Sequence, residues 1–251
     1  MAGVNAIKIG APFRWLALAW RDLQTAPFPA LTYGVIVALI SFGVWRALIV
    51  TNLAFWALSL SCGFVFIAPM LAMGLYEAGR LIDTGKRPKL SEILLVRGAL
   101  RSDVLYLGLA LLFIYLMWGR IAQIVYGLST YRLHTTLEDF FAFAIQSSEG
   151  HAMLFAGSLV GGVMAFFTFA ITVVSAPMLL NQRVSVFEAM FTSIRAVAKN
   201  FIPMLFWALL ITALLLASAA TSWLALVIVF PWLGLASWHA YRDIVTEGEA
   251  S

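Results

Sequence analysis

The chain has 251 residues, of which 63% are apolar and only 11% are charged, and its mean hydropathy is +0.95. Such values lie outside the usual range of soluble globular proteins and predict an integral membrane protein. The single cysteine, Cys62, excludes an intrachain disulfide and the paired-cysteine zinc motifs. The net charge of +4 is a weak argument for a nucleic-acid partner, and we expect none.

The N-terminal segment, residues 1–28, is predicted to be cytoplasmic or interfacial. Its apolar run at 12–21 is short and contains Arg14, which does not fit a cleavable signal peptide. One helical face is formed by Phe13, Leu16, Ala17 and Trp20. Arg14 and Arg21 lie on another face, as in a helix at the level of the lipid headgroups. A loosely ordered basic leader is the alternative.

Six apolar segments are long enough to cross a hydrocarbon core of about 30 Å. They cover residues 29–50, 53–79, 104–126, 152–181, 203–218 and 222–241. The last two require a tight turn near 217–223, because the uncharged stretch 204–241 would measure about 57 Å as one helix. One tilted span plus a re-entrant piece is the alternative. The predicted fold is all-α, a polytopic membrane helix bundle with one transmembrane domain at 29–241 and a cytoplasmic tail at 242–251.

The distribution of positive charge predicts the orientation of this bundle. With a cytoplasmic N-terminus, the inner segments hold thirteen of the sixteen Lys and Arg residues. Only Arg46, Arg120 and Arg132 remain outside. Because Lys and Arg concentrate in cytoplasmic loops, both termini are predicted to be cytoplasmic.

Amphipathic helices are predicted on both membrane faces. On the inner side, residues 91–100 form a short helix, and a longer one follows Ser185, which makes a capping box with Glu188. The apolar stripe of the longer helix consists of Phe187, Met190, Phe191, Ile194, Ala198 and Phe201. Its opposite face consists of Glu188, Thr192, Arg195 and Lys199. On the outer side, a cap at Thr135 begins a similar helix, whose apolar residues are Leu137, Phe140, Phe141, Ala144 and Ile145.

The tetrapeptide APML occurs at 68–71 and again at 176–179, each time in the inner half of a span that runs inward. Each copy precedes a surface helix and then a span that returns outward. This order of elements predicts a parallel internal repeat with units at 53–126 and 152–218.

Three stretches resemble a known family: PFPALTYG at 27–34, GFVFIAPMLAMGLYE at 63–77, and SAPMLLNQRVSVFEAMFTSIRAVAKNF at 175–201. In these the chain is similar to the bacterial integral membrane proteins grouped as domain of unknown function 2189. The resemblance covers most of the chain and implies a multi-span protein of the bacterial inner membrane. It brings no activity and no site residues. Some relatives are labelled as oxidase subunit I, which raises a respiratory role.

Histidines are too few for a catalytic haem-copper oxidase, which needs several inside its helices. The chain has only His134, His151 and His239, and the first two lie outside the predicted spans. An accessory role beside an oxidase stays open. Glu138 and Asp139 share the outer segment with His134 and His151, but these side chains follow no known metal-ligand spacing. With no nucleotide or hydrolase motif either, we expect no enzyme activity, metal or cofactor.

Two prolines lie inside predicted spans. Pro69 lacks the N–H that would bond the carbonyl of Val65. Pro177 does the same to Val173, and freed carbonyls in lipid need a neighbouring partner. We expect the two kinked helices to face each other, with both prolines turned inward and Glu77 at the inner mouth of a crevice between them. The alternative is that each proline merely tilts its helix.

Packing and interface signals without a charged path across the membrane predict a non-enzymatic accessory or scaffold protein. The expected partners are the lipid bilayer and other membrane proteins, including a respiratory complex. The alternative function is a small-solute transporter or channel that uses the proline-kinked helices.

Overall fold

The computed structural model describes residues 3–246 as an all-α bundle, with one short sheet that joins the two ends of the chain. Its α-helices are α1 (Ala11–Thr25), α2 (Pro27–Val50), α3 (Ala54–Leu71), α4 (Met73–Asp83), α5 (Leu90–Leu94), α6 (Ser102–Ser129), α7 (Leu137–Gln146), α8 (Ser148–Thr172), α9 (Ser175–Asn181), α10 (Val186–Lys199), α11 (Phe201–Ala220) and α12 (Leu226–Ile244). A 3₁₀ helix at Arg97–Leu100 precedes α6. The strands are β1 (Gly3–Val4) and β2 (Val245–Thr246).

Five helical segments of the described chain are long and apolar enough to cross a membrane. They are Pro27–Val50, Ala54–Asp83, Ser102–Ser129, Ser148–Asn181 and Phe201–Ala220, and they correspond to the first five predicted spans. The predicted all-α polytopic membrane bundle is therefore confirmed. The sixth predicted span, 222–241, corresponds to α12, whose last two turns carry His239, Arg242 and Asp243 and lower its apolar character.

The two ends of the described chain meet on one side of the bundle. β1 and β2 pair antiparallel, and the backbone N–H of Asn5 donates to the carbonyl of Ile244 at 2.8 Å. Residues 242–244 of the predicted tail belong to α12 and 245–246 to β2, while 247–251 lie outside the described residues. We call this end of the bundle the terminal side, and the opposite end, with the connections at 51–53 and 130–136, the distal side.

Two separate groups of buried apolar side chains hold the bundle together. The terminal core comprises the buried side chains of α1, α4, α9, α10 and α12 and the parts of α2, α3, α6, α8 and α11 that pack on them. Its largest fully buried members include Trp15, Trp207, Trp238 and Tyr241. The distal cluster is much smaller and consists of Ala54, Tyr126, Phe140, Ala144 and Met153.

A turn at 221–225 joins α11 to α12, close to the predicted turn at 217–223. Its Trp223 ring lies 6.0 Å from the ring of Phe64, which is in the middle of α3. In the first turn of α12, the backbone of Val227 packs so closely on Gly34 that a Cβ at that glycine would lie 2.2 Å from the Val227 oxygen. From there α12 continues along α2, α4 and α1 to the terminal sheet.

Helix α1 forms as predicted, but much of its buried face differs from the predicted apolar face. Trp15, Ala19 and Leu23 are buried, together with Leu16, whereas Phe13 is 59% exposed. The reason is tertiary packing, since α12 lies along α1 and the indole N–H of Trp232 donates to the carbonyl of Leu16 at 2.8 Å.

Helix α10 begins at the predicted cap, where the Ser185 hydroxyl accepts from the backbone N–H of Glu188 at 3.2 Å. The bulky stripe points away from the protein, since Phe187 is 69% and Phe191 59% exposed. The small residues of the helix, including Ala189, Ser193 and Ala196, are buried against the bundle. Thr192 is therefore buried, although the sequence pattern places it on the polar face.

On the distal side, α7 begins one residue later than predicted. Thr136, not Thr135, caps the helix by accepting from the backbone N–H of Asp139 at 3.2 Å. Phe140 and Ala144 are buried in the distal cluster, whereas Phe141 and Ile145 of the same predicted stripe are exposed.

Candidate functional site: a cavity between two interrupted helices

The first interrupted helix is the pair α3 and α4, which meet at Ala72, three residues after Pro69. Tyr33 of α2 stabilises this break, because its hydroxyl donates to the carbonyl of Leu71 at 2.7 Å. The ring of Tyr33 can approach only because residue 74 is glycine, since a Cβ there would lie 2.6 Å from its Cε2 atom. The break is thus tied to a neighbouring helix.

The second interrupted helix is the pair α8 and α9, which are separated by Val173 and Val174. The backbone N–H of Val174 donates to the Ser193 hydroxyl of α10 at 3.1 Å. Ser175 donates its hydroxyl to the carbonyl of Ile171, and Pro177 follows in the buried α9. A side chain from the surface helix α10 therefore satisfies a backbone group that the break exposes.

A cavity of about 80 Å³ lies where these two breaks approach α11 and α12. Most of its lining is apolar, and the residues important to its chemistry are Val65, Pro69, Tyr76, Thr172, Val173 and Ser237. Val65 and Val173 are the two residues whose carbonyls lack the usual N–H partner because of the prolines. Both breaks therefore contribute to one cavity.

Three hydroxyl groups line this cavity. Thr172 donates to the carbonyl of Thr168 at 2.7 Å and Ser237 to that of Leu233 at 2.9 Å, so both present only lone pairs. Tyr76 is 4% exposed, and within residues 3–246 its hydroxyl has no hydrogen-bond partner. The cavity thus offers one free O–H donor in an apolar setting, which suits a small, mainly apolar molecule with one acceptor.

The predicted site residues fall in different places around this cavity. Pro69 lines it, while Pro177 is buried beside it in α9 and does not line it. Glu77 also lies outside the lining and is bound by Arg80, whose Nε and Nη2 donate to the two carboxylate oxygens at 2.8 and 2.5 Å. The polar residue that α4 contributes to the cavity is the neighbouring Tyr76.

Sequence reasoning missed Tyr76, Thr172 and Ser237, because single hydroxyl residues in apolar helices carry little signal. A spacing argument could have found Tyr76, which follows Pro69 by seven residues, or two helical turns. Ser237 could not be found in this way, since α12 is distant in sequence and its packing against α4 is a tertiary feature.

The connection from α9 to α10 is held by Arg101, which directly precedes α6, and by Tyr241 of α12. An Nη atom of Arg101 donates to the carbonyls of Leu179 and Gln182, both at 2.9 Å. The Tyr241 hydroxyl accepts from the side-chain amides of Asn181 and Gln182 at 3.1 and 3.0 Å. The polar residues at the end of this predicted span therefore support the chain rather than face the cavity.

The three histidines lie apart from the cavity. His239 contacts a carboxylate oxygen of Asp22 at 2.7 Å, between α12 and α1. His134 contacts the Tyr126 hydroxyl at 2.9 Å, and His151 contacts the carbonyl of Ile145 at 2.7 Å. Among the residues that the structure describes, no three His, Cys, Asp or Glu side chains form a group that could hold a metal ion.

Comparison with known proteins identifies a family. A family model described as "Predicted integral membrane protein (DUF2189)" matches residues 56–181, which is half of the chain and covers both interrupted helices except the first two residues of α3. No curated protein and no solved structure matches the chain. The matched region includes the second of the three resembling stretches and the beginning of the third. The chain therefore belongs to the DUF2189 family of predicted integral membrane proteins.

Proposed function

We propose that this protein is a non-enzymatic scaffold or accessory subunit of a membrane complex in the bacterial inner membrane. The observation that carries the proposal is the bonding of both interrupted helices to their neighbours, through Tyr33 to Leu71 and through Ser193 to Val174. Alternating access requires helices that change their packing. Broken helices that are tied in this way suit a rigid element on which other proteins assemble.

The charged residues near the cavity also support a scaffold. Glu77 is held by Arg80, and the connection after α9 is held by Arg101, so these charges serve the fold. The proposal assigns no catalytic chemistry and no cofactor. His239 contacts Asp22 and therefore contributes to the packing of α12 on α1.

For orientation, we propose that both termini are cytoplasmic. The pairing of β1 with β2 supports a common side for the two ends, and the excess of Lys and Arg in the segments next to that side supports a cytoplasmic one. The proposed partners besides lipid are other membrane proteins, such as the subunits of a respiratory complex.

We also propose the parallel repeat, with units at 53–126 and 152–218. Its support is the order of elements: in each half a broken helix is followed by a short helix and then by a long one. The first half has α3 and α4, then α5 and α6, and the second half has α8 and α9, then α10 and α11.

The cavity favours a second candidate function, a small-solute transporter or channel. The free hydroxyl of Tyr76, beside the two carbonyls that the prolines leave unbonded, offers a solute one donor and two acceptors. Its small volume, about 80 Å³, restricts this function to very small solutes.

Purification from native membranes in mild detergent tests the first function against the second. A scaffold co-purifies with membrane proteins in fixed stoichiometry, which mass spectrometry identifies. The cavity-filling variant Ala68→Leu should leave that complex intact, as should the matched control Ala213→Leu on the exposed face of α11. A chain that purifies alone and moves solute in vesicles, with flux lost in Ala68→Leu only, would establish transport and overturn the scaffold.

A further inference from the structure

A groove of about 480 Å³ runs between α3 and α6 on the surface that faces lipid. This volume lies within the range of about 300–1,000 Å³ that is typical of small-molecule sites. Leu60 of α3 and Phe113 and Leu116 of α6 give it an apolar lining, and Trp56 and Arg120 lie at its distal end. The groove therefore consists of an apolar channel with a positively charged arginine at its distal end.

The packing of α3 on α6 shapes this groove. Gly63 lets the two helices approach, because a Cβ there would lie 2.7 Å from Cε2 of Tyr115. The indole N–H of Trp118 donates to the carbonyl of Ser59 at 2.8 Å and fixes the level of α6 against α3. Arg120 lies two residues after Trp118 in α6, and it is therefore near the distal start of α3.

Arg120 has no ion pair within residues 3–246. Its guanidinium donates to the neutral amide oxygen of Gln123 at 3.3 Å, and the residue is exposed. An arginine on a lipid-facing surface is costly unless it meets an anion or reaches the headgroups. Its planar fork of donors matches a phosphate group.

We propose that this groove binds one anionic phospholipid of the distal leaflet. The phosphate bonds to Arg120 beside Trp56, and an acyl chain lies along Leu60 and Leu116 toward the bilayer centre. Charge complementarity with Arg120 and the apolar channel below it select this occupant over a free anion, which would leave the channel empty. The site is remote from the cavity between the interrupted helices, so it does not depend on the proposed function.

The test measures lipid retained by the full-length protein in mild detergent, by native mass spectrometry and with phosphatidylglycerol or phosphatidylcholine added back. We expect wild type to retain one phosphatidylglycerol and Arg120→Gln to bind it on the order of tenfold more weakly, with Arg120→Lys in between. Arg46→Gln is the matched control, because Arg46 is also exposed in the distal half of a spanning helix but lies outside the groove.

A groove-filling variant, Leu60→Trp, separates a bound lipid from a bound anion. It should lose the lipid although Arg120 remains, and inorganic phosphate should not displace the lipid from wild type. Equal retention by wild type and Arg120→Gln would overturn the proposal, as would an equal loss in Arg46→Gln. Unchanged far-ultraviolet circular dichroism ensures that each variant is folded.

A separate observation concerns the turn at 221–225, which lies level with the middle of the neighbouring helix α3. Trp223 contacts Phe64, ten residues from the distal start of α3, and Val227 contacts Gly34, only seven residues into α2. At 1.5 Å per residue these positions are about 15 Å from the distal end of α3 and about 10 Å from the terminal end of α2. The turn therefore lies near the middle of a hydrocarbon core of about 30 Å.

Two further facts agree with this depth. The buried residues of α2, which packs on α12, extend from Ala30 only to Ala38, and its distal half has no buried residue. The backbone N–H groups from Thr221 to Leu226 all donate within the turn or the preceding helix, including that of Ala225 to the Thr221 hydroxyl at 3.1 Å. Because these six N–H groups are satisfied internally, placing the turn in an apolar medium leaves none of its backbone donors unpaired.

We infer that α11 and α12 form a re-entrant hairpin, which enters and leaves the bilayer on the terminal side. Ser222→Cys and Leu224→Cys, in a Cys62→Ala background, test this with a membrane-impermeant maleimide applied to each side in turn. Both positions are exposed on the protein surface, yet neither should react from either side. Thr130→Cys and Lys86→Cys are the controls for the distal and terminal sides, and labelling of the turn at the rate of Thr130→Cys would overturn the inference.

Discussion

The terminal core and the distal cluster both contain aromatic side chains, but polar groups are used differently in the two regions. In the terminal core, the indole N–H of Trp15 donates to Asp243 at 3.0 Å and that of Trp238 to Asp83 at 2.9 Å. The distal cluster has one such group, the Tyr126 hydroxyl, which donates to the carbonyl of Arg132 at 3.2 Å. Helices that lie outside the hydrocarbon region need specific contacts to stay together. Helices inside that region are held next to one another by the surrounding lipid.

The stability of the bundle is concentrated on the terminal side. The carboxylates Asp83, at the end of α4, and Asp243, near the end of α12, accept from buried indoles on the terminal side. A hydrogen bond to a charged acceptor is worth about 1.5–3 kcal/mol, which is more than a neutral pair provides. The terminal core should therefore respond strongly to single substitutions, and the distal cluster weakly.

The largest expected effect is that of Trp238→Ala, which would break the terminal core. The side chain is 1% exposed, and its removal leaves a cavity against Gly79 and takes the indole donor from Asp83, which keeps its longer contact with Arg242. We expect a loss of about 3–5 kcal/mol in the free energy of unfolding, measured by denaturant titration in detergent micelles. Phe140→Ala in the distal cluster should cost less, because the short α7 can detach without opening the bundle, and an equal loss would contradict the contrast.

Two fully buried tryptophans differ in whether the indole N–H has a hydrogen-bond partner. Trp15 and Trp207 are both 0% exposed and pack edge to face with ring centroids 5.6 Å apart. The indole N–H of Trp15 bonds to Asp243, whereas that of Trp207 has no partner in the described residues. Trp15→Phe should therefore lower the free energy of unfolding by about 2 kcal/mol more than Trp207→Phe, as measured in the same titration. Equal losses in the free energy of unfolding would show that only the volume of the two indoles contributes to stability.

A smaller effect is expected where Tyr33 bonds to the break between α3 and α4. Tyr33→Phe keeps the ring against Gly74 but removes the donor to the Leu71 carbonyl. We expect a loss of about 0.5–1.5 kcal/mol and faster amide hydrogen exchange confined to α3 and α4. Tyr106→Phe on the exposed face of α6 serves as the control and should change neither quantity.

The smallest expected effect is a gain. Ser222 has a φ of +52°, in the left-handed region that disfavours residues with a side chain, and its side chain is exposed. Ser222→Gly should relieve this strain and raise the free energy of unfolding by a few tenths to about 1 kcal/mol, with thermal unfolding as the measurement. Ser129→Gly, at the last residue of α6 where φ is negative, should instead destabilise the protein, because it removes the hydroxyl that donates to the Val125 carbonyl at 2.8 Å.

Much of the fold follows from sequence because apolar length alone marks a membrane span. The segments 29–50 and 104–126 were predicted within a few residues of α2 and α6. The cap at Ser185 was found because its hydroxyl and Glu188 are local in sequence. A helix cap and the total apolarity of a span each depend on a short stretch of sequence only. A single sequence is therefore enough to predict them.

Contacts between distant segments could not be predicted in this way. Both faces of α1 carry aromatic residues, and the packing of α11 and α12 on α1 buries Trp15 in place of Phe13. The cavity between the interrupted helices needs Ser237 from α12 and Tyr76 from α4, which are brought together by tertiary packing. The prolines predict the two helix breaks, but the hydroxyl residues around the cavity follow no periodic pattern in the sequence.

The pairing of the two ends of the chain has a consequence for the order of synthesis. Trp15 and its acceptor Asp243 are separated by 228 residues, and β1 and β2 by even more. On the ribosome, α1 is therefore made long before α12, and its aromatic face stays without a partner while the spans between them insert. A chain arrested before α12 would leave Trp15, Ala19 and Leu23 without the helix that packs along them, and the α12-facing sides of α2 and α4 would be uncovered as well.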